Sequence, residues 1–158
     1  MNKTHLAYLN LGSNIQPETN LPKALKLLST YGEILKVSHA WESKSVGAEG
    51  PNYLNACVLF KTTYARMGLK EQVIHPIENQ LGRIRTEDKN APRTIDIDVI
   101  LFDDEPVRSN IWEAAFVIVP LADIYPEYQH PITKQSAKEI ATRLRQEVWL
   151  EPRRGVFD

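Results

Sequence analysis

The run Pro92-Arg93-Thr94-Ile95-Asp96-Ile97-Asp98-Val99-Ile100-Leu101-Phe102 constrains this chain more than any other stretch. Pro92 fixes its own φ and pushes Ala91 towards an extended conformation, so the run is entered from a turn. From Ile95 onward the residues are β-branched or apolar, apart from the two acids, which suits a strand. Strand side chains alternate between faces. Ile95, Ile97, Val99 and Leu101 are therefore expected on one face, and Asp96 and Asp98 on the other. Two carboxylates on one face do not sit dry and unpaired. A cation belongs between or above them, either Arg93 or a divalent ion. Mg²⁺ takes hard oxygen ligands from one or two carboxylates and completes its shell with water and substrate phosphate. Alone, an Asp-x-Asp strand also fits a solvated outer face, or a nuclease or glycosyltransferase, so the pair does not fix a reaction.

The residues upstream narrow the choice. Arg83, Arg85, Lys89 and Arg93 precede the two acids, and Gly82 is placed to end a helix just before them. Arginine forks match phosphate oxygens bidentately. Cations at a helix C-terminus also complement its dipole, which accounts for Arg83 but not for the whole group.

With 158 residues, 42% of them hydrophobic, the chain reads as one compact domain, residues 1–158, able to bury its own core. A net charge of −1 offers no global basic field to recruit nucleic acid. The single cysteine, Cys57, excludes an internal disulfide and cysteine-based zinc sites, and reads as a small apolar strand residue. No long apolar run opens the chain and none approaches the ~20 residues of a membrane span. The expectation is a cytoplasmic protein with no membrane partner.

Residues 6–11 read as a strand ending in the turn Gly12-Ser13-Asn14, where Gly12 allows close backbone approach. No Gly-Lys-Ser/Thr follows, so this is not a phosphate loop. Asn20 is expected to cap a helix with Pro22 in its first turn and Leu21, Ala24, Leu25 and Leu28 on one face. Residues 33–43 read as a kinked strand and 44–52 as a loop. In the strand 53–62, Leu54, Ala56, Val58 and Phe60 face the core, while Tyr53, Asn55 and Cys57 point the other way. That parity sets a ring and an amide side by side, suited to a flat heterocycle rich in donors and acceptors. A second helix is expected over 69–81, kinked or shifted by Pro76. After the Asp strand and the segment 108–116 comes another apolar strand, then a helical turn at 121–128. Ser136 caps a last helix, and Arg153 and Arg154 read as a solvated tail. Strand-helix-strand-strand-helix-strand is the split βαβ pattern of ferredoxin-like folds. The fold class is α+β, a mainly antiparallel sheet with helices on one face and the site on the other.

The Asp run closely resembles the signature of the 6-hydroxymethyl-7,8-dihydropterin pyrophosphokinases of folate biosynthesis. Two further blocks are similar to that family: Ala7-Tyr8-Leu9-Asn10-Leu11-Gly12-Ser13-Asn14, and Gly47 followed by Pro51-Asn52-Tyr53-Leu54-Asn55-Ala56. The three blocks stand in the family's order, and the likeness is good over residues 5–103. It implies a diphosphokinase that moves pyrophosphate from ATP to 6-hydroxymethyl-7,8-dihydropterin with Mg²⁺, releasing AMP, as a monomer or weak homodimer. By the same likeness Asp96 and Asp98 hold two Mg²⁺ ions, and Arg83 and Arg93 contact phosphates. Glu78 supports the site, with Arg85, Val99 and Arg108 on the nucleotide side. Ser43, Val46, Tyr53 and Asn55 line the pterin pocket. The chain departs from the pattern at 108–116, which is several residues short, lacks a histidine and carries Ala115 where an arginine is expected. Asn90-Ala91 also replaces an aromatic-Gly pair, and Thr86 a common lysine. The alternative reading is a divergent pterin- or nucleotide-binding module with little or altered transfer activity. An RNA-binding sheet would want outward aromatics, and the outward positions beside Ile95 and Ile97 are acidic.

Overall fold

In the computed structural model, which describes residues 3–45, 50–84 and 92–157, the alternating apolar residues of the first strand run through the middle of a seven-stranded sheet. The strands are β1 (His5–Ser13), β2 (Glu33–Val37), β3 (Ala40–Ser43), β4 (Tyr53–Thr62), β5 (Asp96–Phe102), β6 (Glu105–Pro106) and β7 (Leu150–Arg153). They lie in the order β6-β5-β1-β4-β3-β7, with β2 also on β4, and every pairing is antiparallel. The kinked strand expected over 33–43 is two strands, and β4 is long enough to pair with both. Ser38 makes the break: its Oγ accepts from the Cys57 N–H at 2.8 Å while its own N–H donates to the Cys57 carbonyl.

The helices are α1 (Pro17–Leu28), α2 (Arg66–Leu69), a π turn (Lys70–Ile74), α3 (His75–Gln80), α4 (Ala115–Ile124) and α5 (Ala137–Glu147). Helix α1 starts earlier than Asn20 because Pro17, with its φ already set for a first turn, takes the first helical position. Asn20 instead folds back, its Nδ2 donating to the Ile15 carbonyl at 2.5 Å. Pro76 does not break the second helix. It follows a wider π turn, and the helical run begins at Arg66.

The split βαβ order and the antiparallel sheet agree with the sequence reading, but the helices do not share one face. Ala7, Leu9, Leu11, Val58 and Phe60 pack with α1 and α3 residues on one side. Tyr8, Cys57 and Leu59 pack with α4 and α5 on the other. The apolar stretch after Phe116 forms α4 rather than a strand, and the turn expected at 121–128 begins as that helix's end. Its β-branched Val117, Ile118 and Val119 favour a strand locally, yet the segment is apolar on nearly every side and the sheet and α5 bury it. Arg153 is likewise no tail residue: it ends β7, paired with β3.

The alternation in β5 holds as far as Val99. Leu9 stands opposite Val99 and Tyr8 opposite Leu101, so Ile100 is an inserted residue. Such a bulge turns the following side chains over. Ile95, Ile97 and Val99 pack in one core, while Ile100 and Leu101 pack in the other. Leu101 therefore leaves the face assigned to it, and Asp96 and Asp98 keep theirs. Among the described residues no helix is long and apolar enough to cross a membrane.

Helix α5 is held at its start by a reciprocal cap. Ser136 Oγ accepts from the Glu139 N–H at 3.1 Å, and Glu139 Oε1 accepts from the Ser136 N–H at 3.2 Å. Ser136→Ala is expected to destabilise the protein by about 1 kcal/mol, read as a lower urea midpoint at unchanged m-value.

Candidate active site

The sheet register brings the acidic pair and the proposed heterocycle contacts onto one face. Gly12 on the central strand pairs with Asn55 on one side and with Asp96 on the other, while Asn10 pairs with Cys57 and Asp98. The five side chains among them point towards the side covered further along by α4 and α5. A Cβ built on Gly12 would stand 2.5 Å from Asn55 Oδ1. The missing side chain is what lets the Asn55 amide lie across β1 towards the acid-bearing strand.

Asp96 sits in a network of charges. Its Oδ1 accepts from Arg83 Nη1 and its Oδ2 from Arg93 Nη1, each at 2.9 Å. Arg83 Nη1 also donates to Glu78 Oε2 at 2.5 Å, and that oxygen accepts from the Ile97 N–H at 3.0 Å. Glu78, on α3, is 2% exposed. The turn after β1 fixes the approach of Arg93. Asn14 Oδ1 accepts from the Arg93 N–H at 2.7 Å, and the Arg93 carbonyl accepts from the N–H groups of Asn14 and Ile15 at 3.1 and 3.3 Å.

Asp98 is placed differently. Among the described residues one arginine serves it, Arg108, whose Nη2 donates to Oδ1 at 2.8 Å. Burial, with Asp96 and Glu78 adding to it, pushes its carboxyl up to about 6 against the pull of Arg108. Ionised Asp98 is therefore short of positive charge. Two hard carboxylates on one strand face, one of them under-neutralised, fit a divalent cation that takes its remaining ligands from water or phosphate.

Both acids open onto a cleft of about 950 Å³ at the outer edge of β5, also lined by Glu78, Arg83, Arg93, Val99 and Arg108. The described residues expected on the catalytic and nucleotide side are thus brought together. Ser43, Tyr53 and Asn55 lie outside this cleft, on the β3–β4 side of Asp96, with Ser43 opposite Tyr53 in the ladder. Burial raises the Tyr53 hydroxyl pKa, Arg93 opposes it and Asp96 adds to it. Val46 and Arg85 lie outside the described residues, as do Thr86, Lys89, Asn90 and Ala91.

Three features escaped the sequence reading. Asn10 is buried, and its Nδ2 donates to the Phe116 carbonyl at 3.0 Å, tying the start of α4 to the acid-bearing face. A polar residue inside an apolar strand, in phase with Gly12, was its signal. Phe116 is 41% exposed at that tie, a ring left uncovered where α4 begins. Nothing local marked it, because its segment read as a strand approach. The helical lining formed by Arg66, Lys70 and His75 also went unread. Arg153, expected in a solvated tail, is instead engaged by Glu42 and Glu18 at 2.8 and 3.2 Å. Arg154 and Arg153 line a different cavity.

The raised pKa of Asp98 has a sign that can be measured. A carboxyl held above its ordinary value of 3.8 adds relative stability while protonated and loses it as pH rises through about 6. Asp98→Asn keeps the shape without the charge. In ligand-free protein it is expected to raise stability at pH 8 by about 1 kcal/mol over wild type, with the gain vanishing near pH 4. Urea unfolding at both pH values tests this, and a loss of stability at pH 8 contradicts it.

A family model for 7,8-dihydro-6-hydroxymethylpterin-pyrophosphokinase (HPPK) matches residues 8–126. The chain is 34% identical over 142 residues to the 2-amino-4-hydroxy-6-hydroxymethyldihydropteridine pyrophosphokinase of Aquifex aeolicus, covering 84% of this chain and 88% of the relative. It is 34% identical over 152 residues to the protein so named in Bacillus subtilis, covering 89% and 90%. Among solved structures, a Plasmodium falciparum HPPK-DHPS shares its fold with a TM-score of 0.74 at 15% identity, over 93% of this chain and 44% of that one. The chain thus spans less than half of that longer protein. On the family match and the relatives that this chain nearly spans, it belongs to the 7,8-dihydro-6-hydroxymethylpterin-pyrophosphokinase family.

Proposed function

We propose that this chain, as a single domain over residues 1–158, transfers pyrophosphate from ATP to 6-hydroxymethyl-7,8-dihydropterin and releases AMP, a step of folate biosynthesis. The observation that carries the reading is the position of Asp96. It lies between a charged cleft at the edge of β5 and the Tyr53–Asn55 surface across β1. A donor in the cleft and an acceptor on that surface meet at the acidic pair.

In this reading the pterin hydroxymethyl oxygen attacks the β-phosphorus in line. The bond from that phosphorus to the α,β-bridging oxygen breaks, and AMP leaves. The protein's part is positioning and charge neutralisation. Asn55 offers a donor and an acceptor to the pterin edge, with Tyr53 beside it, Ser43 and Val46 completing the pocket and Phe116 offering a further ring. Arg83 and Arg93 present guanidinium groups to phosphate oxygens, and Glu78 holds Arg83 in place through the 2.5 Å contact. Val99, Arg85 and Arg108 serve the nucleotide side. Asp96 and Asp98 would hold two Mg²⁺ ions, which when bound neutralise phosphate charge and align the reacting oxygens. The reading includes a cytoplasmic protein acting as a monomer or weak homodimer.

A second reading, a binding module with little or altered transfer, is favoured by one feature. The short segment 108–116 is pinned to the core by Ile111 and Trp112, 1% and 7% exposed, and Ala115 is buried. Of its side chains, Arg108 lines the cleft. AMP release over time, compared with the affinities for pterin and ATP, separates the two readings.

Asp96→Ala and Asp98→Ala are each expected to lower Mg²⁺-dependent AMP release by at least about 10²-fold. Wild-type turnover and Mg²⁺ dependence in both variants would refute the assignment. Gly12→Ala is expected to displace the Asn55 amide and weaken pterin binding by about 1–3 kcal/mol, as Asn55→Ala should, with ATP affinity nearly unchanged. Calorimetric titration with each ligand reads the difference, and the opposite pattern would reverse the assignment of the two surfaces.

A further inference from the structure

We propose that the helical wall formed by Arg66, Lys70 and His75 binds the polyphosphate of the donor nucleotide, supplying positive groups that the short segment 108–116 does not. The inference rests on the nucleotide reading of the cleft given above.

The arginines nearest the acidic pair are already committed. Arg83 is shared between Glu78 and Asp96, Arg93 serves Asp96, and Arg108 serves Asp98. Among the described residues, three cations face three carboxylates, which leaves little surplus charge for an incoming polyphosphate. The same cleft is also lined by Arg66, Lys70 and His75, on the helical run that leads into Glu78. Among the described residues, none of the three has a side-chain hydrogen bond or ion pair. Among the described residues they are the cleft's uncommitted donors.

Their alignment depends on the π turn. An α-helix turns once in 3.6 residues, so residues nine apart fall on opposite sides. Arg66 and His75 are nine apart and yet line the same cleft. The step from Arg66 to Lys70 is four residues, one α turn. The step from Lys70 to His75 is five, the repeat of the π turn spanning Lys70–Ile74. The wider turn returns His75 to the side of Lys70. Pro76, which has no N–H to give the carbonyl four residues back, follows directly. Single π turns recur where a helix must re-aim a side chain at a site.

Segment 108–116 does not make the same contribution. Ile111 and Trp112 hold segment 108–116 in the core, and Ala115 is buried in the first turn of α4. Arg153 is engaged elsewhere by Glu18 and Glu42. On the helical wall, an arginine fork, a lysine point charge and an imidazole N–H suit the spread oxygens of a polyphosphate. The exposed Met67 and the apolar Ile74 beside them leave room for a nucleoside.

The test is calorimetric titration of the whole protein with Mg²⁺ and α,β-methylene-ATP, alongside titration with 6-hydroxymethylpterin. It covers wild type, the double variant Arg66→Ala/Lys70→Ala, and His75→Leu against His75→Gln. The double variant is expected to bind the nucleotide analogue roughly 10- to 100-fold more weakly, with a shallower dependence of log Kd on log salt concentration and unchanged pterin affinity. His75→Leu should lose nucleotide affinity that His75→Gln keeps, and Arg66→Lys/Lys70→Arg should restore most of the binding. In turnover, KM for ATP should rise while kcat changes little. Arg66 and Lys70 are exposed, so their urea midpoints should match wild type. Wild-type nucleotide affinity and salt slope in the double variant overturn the inference while leaving the function reading intact. Equal losses of pterin and nucleotide binding also overturn it. A wild-type protein that binds neither ligand overturns both.

Discussion

The buried carboxylate of Glu78 is the constraint on which the site depends. One oxygen, Oε2, takes the Arg83 guanidinium and the Ile97 N–H, so a helix, a loop arginine and the Asp strand meet at one atom. A charge at 2% exposure survives only when its partners are in place, and removing one partner leaves the other buried and uncompensated. Arg83 passes the constraint to Asp96, where Arg93 closes the set. Asn14 then ties Arg93 back to the end of β1. The signature residues thus hold one another in a closed chain of contacts. Folding cannot place Asp96 without also placing α3 and the turn at 12–14.

The sheet distributes the chemistry on either side of this network. Its central strand carries almost nothing at Gly12, and that emptiness lets the Asn55 amide cross it. Asn10 does the reverse, using a buried amide to draw the beginning of α4 onto the same face. One strand therefore sets the acid pair, the Asn55 amide and the exposed ring of Phe116 in fixed relation. The bulge at Ile100 lies just beyond the acids. It lets β5 present carboxylates at one end and feed two large apolar residues into the α4–α5 core at the other.

The short segment after β6 trades reach for packing. Trp112 stacks on Tyr128 with centroids 5.3 Å apart, and Ile111 is fully enclosed. A segment anchored at these two places is poorly suited to fold over a ligand. Among the described residues, the cleft's uncommitted positive groups sit on the helical run 66–80 instead.

Local pattern was enough to show the strand with two acids on one face, the opposed faces of β4, the cap at Ser136 and the split βαβ order. Each depends on a period of two or on hydrogen bonds within a few residues, and neither needs to know what lies across the sheet. The three signature blocks could also be grouped, through their resemblance to one family. Other features were settled by contacts distant in sequence. Val117 to Val119 lean towards a strand, and only burial between the sheet and α5 makes them helical. Leu101 changes face because β1 and β5 pair with one residue to spare. Arg153 reads as a tail residue, yet β3 captures its strand and Glu42 and Glu18 take its charge. Residue order alone determined which groups this protein has for phosphate and heterocycle. The tertiary structure decided which cations are spent on carboxylates and which stay free, because charge pairing is settled by distance in space and not by position in the chain.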